Sequence, residues 1–321
     1  YGDHRDLHRV DRRQRQMCIR DRITGESGFV GKYLLALLST YQSDISVIAR
    51  KKNNQYTTFI CNLGVDKIPH YALDSIDTVI HLAGLAHDVK NPLTSTQLYY
   101  DVNVTASIDL AQAAADSGVK SFIFISSTKA GGNPIFSCCA DESDQFEPEG
   151  VYGKTKREAE IQLLKIGKKS DMNISIIRPA LVYGPNMKGN LKLMLTGIRK
   201  GFFPPLPETG NIRSMIHVDD LVSAILFISE SDHSNGEIYI ATDGESYSSR
   251  DIFNIMREVA GKRPLKWSVP KFVFLSLALI SPRIRYKIDK LLGDQCYSSK
   301  KLKSLGFVPK RKFKEMNETS F

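Results

Sequence analysis

Short runs of apolar residues, many of them β-branched, alternate along this chain with stretches whose apolar positions recur at helical spacing. The strand-like runs are Ile45–Ala49, Thr58–Cys61, Thr78–Leu82, Phe122–Ile125 and Ile174–Ile177. They are continuous rather than alternating, the pattern of strands buried on both faces. Helical stretches lie between them at Phe29–Ser39, about Gln97–Asp116 and Val151–Lys168. This repeated strand–helix–strand rhythm predicts an α/β fold with a doubly wound, mostly parallel sheet and helices on both faces. Past Pro179 the rhythm shortens to helices at Val218–Ile228, Ser248–Ala260 and Lys271–Ile280, joined by Pro-rich connections such as Phe202–Pro207.

The beginning breaks the pattern. Residues 1–22 show neither helical nor strand periodicity, and Met17–Arg22 (MCIRDR) resembles translated sequencing-adapter read-through. The segment is therefore expected to be a non-native leader. In a doubly wound sheet a central apolar strand should end at about Ile23-Thr24-Gly25, yet Arg20, Asp21 and Arg22 hold those positions. The expectation is that the true strand was lost; if these residues do form it, charges lie in the middle of the sheet.

Composition narrows the classes. With 321 residues, 42% hydrophobic and 25% charged, the chain can bury a substantial core like an ordinary globular protein. The longest apolar run, Phe272–Ile280, is half the length a membrane span needs, about 18 residues. It reads as a buried or amphipathic helix, with weak membrane-surface contact as the other reading because Arg283, Arg285 and Lys287 follow. No secretory apolar segment is visible. The five cysteines, Cys18, Cys61, Cys138, Cys139 and Cys296, are odd in number and form no CxxC, so neither a disulfide framework nor a metal site is expected, and a cytoplasmic location fits. The net charge of +9 is concentrated at the ends: seven Arg against four Asp in residues 1–22, and seven basic residues with no acid in 300–314. Solvated terminal segments are preferred to a nucleic-acid-binding face.

Chemistry first shows in the turn Thr24-Gly25-Glu26-Ser27-Gly28-Phe29-Val30-Gly31. Its glycines suit a tight turn, a close approach of backbone to a pyrophosphate and close helix–strand packing, and the following helix start offers unpaired N–H groups to an anion. The pattern resembles the TGxxGFxG fingerprint of extended short-chain dehydrogenases/reductases, and the chain is similar to their NAD-dependent epimerase/dehydratase family. The resemblance implies a Rossmann-type dinucleotide domain over 23–178 and a smaller C-terminal substrate-binding part over 179–321, interleaved with it. After the second strand an acidic residue would bind ribose hydroxyls, whereas Arg50-Lys51-Lys52 leans toward NADP over NAD.

Tyr152-Gly153-Lys154-Thr155-Lys156 is a YxxxK motif on a predicted helix, where residues four apart share a face. A free Tyr has a pKa of about 10, and a neighbouring ammonium is expected to bring it toward working range. Two further copies, Tyr286…Lys290 and Tyr297…Lys301, fall in basic segments and read as solvated helix faces. Tyr152 differs by its context, since Ser126-Ser127 end the preceding strand-like run and strand ends are where ligands sit in such sheets. The expected catalytic residues are Ser127, Tyr152, Lys156 and Asn103.

The resemblance extends from Ile23 over nearly the whole chain. It implies cofactor contacts at Gly25, Ser27, Gly28, Phe29, Val30, Gly31, Arg50, Asn62, Leu63, Leu82, Ala83, Gly84, Ser126 and Pro179. It also implies substrate contacts at Asn190 and Arg213, Arg213 on a nucleotide diphosphate, and structural roles for His217, Asp219 and Asp220. Asn103 would support the site through a kinked helix. The implied substrate is a nucleotide sugar and the implied assembly a homodimer, with no metal. Where dehydratases carry an Asp-Glu pair, this chain has Thr128-Lys129, which disfavours dehydration; Gly131 replaces a usual Tyr and could widen the pocket. What remains is a 4-epimerase of a UDP-hexose or UDP-N-acetylhexosamine in surface polysaccharide biosynthesis. The alternatives are an NADPH-dependent 4-keto-sugar reductase, a small-ketone reductase, and a cofactor-binding module without catalysis.

Overall fold

The computed structural model describes residues 20–41, 44–86, 92–134, 139–231 and 234–320. Residues 1–19, with Cys18 and most of the expected leader, lie outside the described residues, as does Cys138. The chain divides into two compact units, each discontinuous in sequence: Tyr1–Ala130, Glu149–Ile177 and Val222–Ile238 form one, and Gly131–Pro148, Arg178–Leu221 and Tyr239–Phe321 the other.

The strands are β1 Arg20–Thr24, β2 Asp44–Ala49, β3 Thr57–Ile60, β4 Thr78–His81, β5 Ser121–Ile125, β6 Asn173–Pro179, β7 Leu181–Tyr183, β8 Met215–His217 and β9 Ile238–Ala241. Seven of them make a sheet in the order β3-β2-β1-β4-β5-β6-β9, and the registers from β3 through β6 are parallel. The expected doubly wound α/β sheet is thus present. The helices of the first unit are α1 Phe29–Leu38, α2 Pro92–Tyr100, α3 Ala106–Asp116 and α4 Gly150–Lys169. Between α2 and α3 a π-helical segment, Asp101–Thr105, interrupts what the apolar spacing predicted as one helix. Core packing follows the pattern: Val79, Phe122, Phe124, Ile174 and Ile176 from the strands meet Leu110, Ala114 and Leu163 from α3 and α4.

The first strand corrects an expectation. Residues 20–22 are not part of a leader outside the fold; they are β1, paired to β2 on one side and β4 on the other. Parallel ladders bond through backbone groups, which charged residues supply as well as apolar ones. The consequence is electrostatic. Asp21 and Arg22 are buried, and burial pushes the Asp21 carboxyl up to about 7, helped by Asp77 and Glu230. The Arg22 guanidinium lies 3.8 Å over the Phe59 ring and is drawn down to about 10 by desolvation.

In the second unit β7 and β8 pair in parallel. Its helices include α5 Gly189–Lys200, which ends on left-handed Gly201. Helix α6, Val218–Ser229, follows β8 and from Val222 onward belongs to the first unit, whereas α7, Ser249–Val259, opens on a Ser248/Asp251 capping box in the second. Then come α8 Lys271–Ala278, α9 Pro282–Leu292 and the short α10 Lys300–Ser304. Tyr183, His217, Tyr247 and Phe313 form an edge-to-face aromatic cluster, with ring centroids 4.8–5.5 Å apart. The carboxylate of Asp220 accepts from the backbone N–H groups of Lys310 and Arg311, tying the C-terminal segment down.

Two further expectations are overturned here. Cys139 and Cys296 form a disulfide, with Cα atoms 4.4 Å apart across 157 residues of sequence. Cysteine parity and local spacing cannot report a pair joined by tertiary contact; the bridge Ala140↔Tyr297 sets their backbones side by side. Tyr297 is not on a solvated helix face. It is buried, and its hydroxyl donates to the Gly132 carbonyl at 3.3 Å.

Candidate active site

The site begins where β1 runs into α1. Gly25 has φ +78°, and a Cβ there would stand 2.5 Å from the backbone nitrogen of Ala83. A Cβ on Gly31 would stand 2.3 Å from the Gly25 carbonyl oxygen. Only glycine admits this turn, and it seats the start of α1 directly against Leu82-Ala83 after β4. The α1 cap, Gly28, has no side-chain hydrogen bond to the helix start, and the first turn carries no acid. Backbone N–H groups and the positive end of the helix are thus left for an anion. Ser27 is exposed at this turn, and the Phe29 ring rests edge-on against Tyr33 at 5.7 Å. Val30 is half-buried in the first turn of the helix.

Below the turn, His81 is fully buried. Its Nδ1 lies 2.6 Å from Thr24 Oγ1 and its Nε2 2.9 Å from Ser107 Oγ, so one ring ties β1, β4 and α3 together. Burial and the Lys156 charge drive it down to about 3, which keeps the imidazole neutral. The Thr24 hydroxyl also accepts from the Ala83 N–H.

Asn103 sits in the π segment, completely buried. Its Oδ1 accepts from Leu85 N–H at 2.7 Å, and its Nδ2 donates to the Leu85 carbonyl and to Thr155 Oγ1, both at 3.1 Å. One amide therefore locks the segment following β4 to α4. An extra residue per turn in the π segment is what aims a side chain out of the ordinary helical register. Gly84 makes room: a Cβ there would be 3.1 Å from Lys156 Nζ and 3.2 Å from Asn103 Oδ1.

Lys156 is buried on α4. Its ammonium donates to the Ile125 carbonyl at 2.9 Å and lies 4.4 Å over the Phe124 ring, at the carboxyl end of β5. Desolvation lowers it to about 8, with Glu160 opposing, so at neutral pH it remains mainly an ammonium. Tyr152, one turn earlier, hydrogen-bonds Ser127, which holds the phenol down; desolvation outweighs that and pushes it up to about 12. The expected lowering by the neighbouring ammonium is not the dominant influence, because the ammonium is turned onto a backbone carbonyl. Ser127 Oγ also accepts from the Lys129 N–H at 3.2 Å. Next to it the Ser126 hydroxyl is buried and has no partner among the described residues.

The first unit thus brings together Gly25, Gly28, Gly31, Leu82, Ala83, Gly84, Asn103, Ser126, Ser127, Tyr152 and Lys156. A turn too tight for any Cβ, bare helix N–H groups and an orphaned Ser126 hydroxyl beside a Ser/Tyr/Lys group fit a dinucleotide cofactor. Arg50 is exposed just past β2. Asn62 and Leu63 follow β3, where Asn62 N–H donates to Asp66 Oδ2 and Leu63 packs on the core. The other expected contacts belong to the second unit. Pro179 is buried at the end of β6, and Asn190 is exposed in the first turn of α5. Arg213 donates through Nη1 to the carbonyls of Lys290 and Leu291 and through Nη2 to Gln295 Oε1, leaving Nε without a partner among the described residues. The space at Gly131 is filled, not widened: Arg178 Nη1 comes within 3.0 Å of where a Cβ would be. Sequence reasoning missed Thr155 and the buried bonds of His81. A threonine inside the YxxxK motif and a histidine ending an apolar strand were the available signals.

Known proteins resemble this chain along most of its length. The model of the NAD dependent epimerase/dehydratase family matches residues 22–241. A UDP-glucose 4-epimerase of Vibrio cholerae is 31% identical over 320 residues, covering 93% of this chain and 95% of the relative. An N-acetyl-alpha-D-glucosaminyl-diphospho-ditrans,octacis-undecaprenol 4-epimerase of Escherichia coli O157:H7 is 31% identical over 231 residues, 69% of this chain and 66% of the relative. Among solved structures, a Thermus thermophilus UDP-glucose 4-epimerase in complex with NAD superimposes with a TM-score of 0.74 at 22% identity, covering 94% of this chain and 97% of that one.

Proposed function

Because the chain belongs to the NAD-dependent epimerase/dehydratase family and is an enzyme of the extended short-chain dehydrogenase/reductase type, we propose that it inverts C4 of a UDP-hexose or UDP-N-acetylhexosamine, in the making of surface polysaccharide. The observation that carries this reading is the gathering of Ser127, Tyr152 and Lys156 beside the glycine turn and Leu82–Gly84. The N–H groups at the start of α1 hold the dinucleotide's diphosphate, and Ser126 supplies a hydroxyl to the same ligand. When bound, that cofactor provides the hydride acceptor.

Tyr152, as the phenolate, takes the proton of the C4 hydroxyl as C4 is oxidised and returns it to the same oxygen when C4 is reduced from its other face. At about 12 the phenol is almost wholly protonated at neutral pH; the Ser127 hydrogen bond favours its ionised form, and this reading requires the Lys156 ammonium, directed here onto the Ile125 carbonyl, to favour it further once ligands are bound. Gly84 leaves room for Lys156, and Asn103 holds the neighbouring Thr155 on α4. Thr128-Lys129 supply no carboxyl pair for dehydration.

The cofactor is NAD in this reading; Arg50, with no carboxylate beside it, is the argument for NADP and for a 4-keto-sugar reductase instead. A lipid-linked sugar diphosphate, the substrate type in the Escherichia coli relative's name, is a second reading, favoured by the exposed apolar end of α8. The test is to purify the chain, release and identify its nucleotide, and follow the C4 proton of UDP-glucose and UDP-N-acetylglucosamine by NMR. Retained NAD+ and inversion without added cofactor are expected. An empty enzyme that consumes NADPH on a 4-keto sugar overturns the epimerase assignment.

A further inference from the structure

The charge of the chain is not confined to its ends. Residues 261–290 carry eight basic side chains and one acid, Asp289. The same stretch holds the largest collection of exposed apolar side chains in the second unit. Helices α8 and α9 pack against each other as a hairpin, and each turns an anchor inward, Phe274 from α8 and Ile288 from α9. Phe272, Leu275 and Leu279 recur at helical spacing on the outer side. The connecting turn presents Leu279 and Ile280, which are 86% and 69% exposed, and Phe272 is 67% exposed. Arg285 and Lys287 are exposed on the first turns of α9 behind this tip, and Lys271 is exposed at the far end of α8 beside Phe272.

Large apolar side chains clustered in water mark an interaction surface. Apolar residues at the tip of a hairpin with cations just behind them match a headgroup boundary, where the tip enters the acyl region and the cations meet anionic phosphates. A second copy of this chain is a poorer occupant. A two-fold contact through the tip would set Arg285 and Lys287 of both copies against one another. No helix among the described residues is long and apolar enough to cross a membrane, so the contact is peripheral.

We propose that the α8–α9 hairpin, through the outer apolar side chains Phe272, Leu275, Leu279 and Ile280 with the cations Lys271, Arg285 and Lys287 alongside, docks the enzyme on an anionic lipid bilayer. The inference stands independently of the sugar substrate. It places the enzyme at a membrane surface whether the substrate is carried by a nucleotide or by a lipid.

The full chain is mixed with large vesicles of phosphatidylcholine alone or with about one third phosphatidylglycerol, and sedimented. Binding to the anionic vesicles is expected to exceed binding to the neutral ones by about tenfold and to fall at high salt. The double substitution Leu279→Asp/Ile280→Asp and, separately, Arg285→Glu/Lys287→Glu should each reduce it by about tenfold. Because these side chains face outward, melting temperature and turnover on UDP-sugars in solution should be unchanged. Three results overturn the proposal: equal binding to both vesicle types, anionic binding that survives both double substitutions, or a dimer in solution that the Leu279→Asp/Ile280→Asp pair dissociates. Loss of epimerase activity with vesicle binding intact would count against the proposed function alone.

Discussion

Two neighbouring parts of the same sheet bury polar groups in opposite ways. In β1, Asp21 and Arg22 sit in the middle of the sheet, and Arg22 Nε and Nη1 find no hydrogen-bond partner among the described residues. At the carboxyl ends of β4 and β5, His81, Asn103 and Lys156 are equally buried, but each side chain is bonded at two atoms or held between a carbonyl and a ring. A buried polar group without partners costs free energy; one in a complete network fixes geometry. The first region therefore weakens the fold while the second aligns the chemistry.

The largest effect should come from the networked side. Tyr152→Phe keeps the ring and removes the proton carrier, so turnover should fall by about 10³–10⁴-fold while cofactor affinity stays close to the parent. Kinetics with a cofactor titration check both; near-parental turnover would remove Tyr152 as the base.

The β1 side predicts a stability change that depends on pH. The Asp21 carboxyl ionises near 3.8 in the unfolded chain and about 7 in the fold. Both states are protonated at pH 3, so its ionisation costs nothing there; the cost grows between those values and is complete above about 7. Asp21→Asn should stabilise the protein by up to about 4 kcal/mol at pH 8, with the gain vanishing toward pH 4. Urea unfolding at several pH values measures it, and a gain independent of pH would mean that charge is not the cause.

Next comes Asn103→Ala, which strips partners from Leu85 N–H, the Leu85 carbonyl and Thr155 at once. A loss of about 2–3 kcal/mol is expected, with kcat falling more than KM changes, because Lys156 is left less constrained. The smallest effect should be Arg22→Met, which replaces a poorly partnered guanidinium on Phe59 by an apolar chain of similar length. A gain of about 1 kcal/mol in the same urea assay is expected, and destabilisation would show that the ring contact outweighs desolvation.

Some of this was legible in residue order because it is written in local rules. The glycines of the first turn, Tyr152 and Lys156 four apart, and serines closing an apolar run are each a local statement, and backbone geometry carries them directly into space. The strand pattern likewise predicted β2 through β6 nearly residue for residue. The short β7, β8 and β9 escaped because three or four residues carry too little periodicity. The π segment is invisible to periodicity because Asp101–Thr105 has ordinary helical composition; only the family resemblance pointed to a kink at Asn103, which bonds Leu85 and Thr155.

Residue order by itself determined the parallel sheet, the phosphate-binding turn and the identity of the candidate base and its partners. Tertiary structure alone decided that a charged segment serves as the central strand, that Cys139 meets Cys296, and that burial sets the ionisation of Asp21, His81, Tyr152 and Lys156. The reason is one of range. Periodicity and motif spacing act within a few residues, whereas desolvation and pairing depend on which distant segments close around a group.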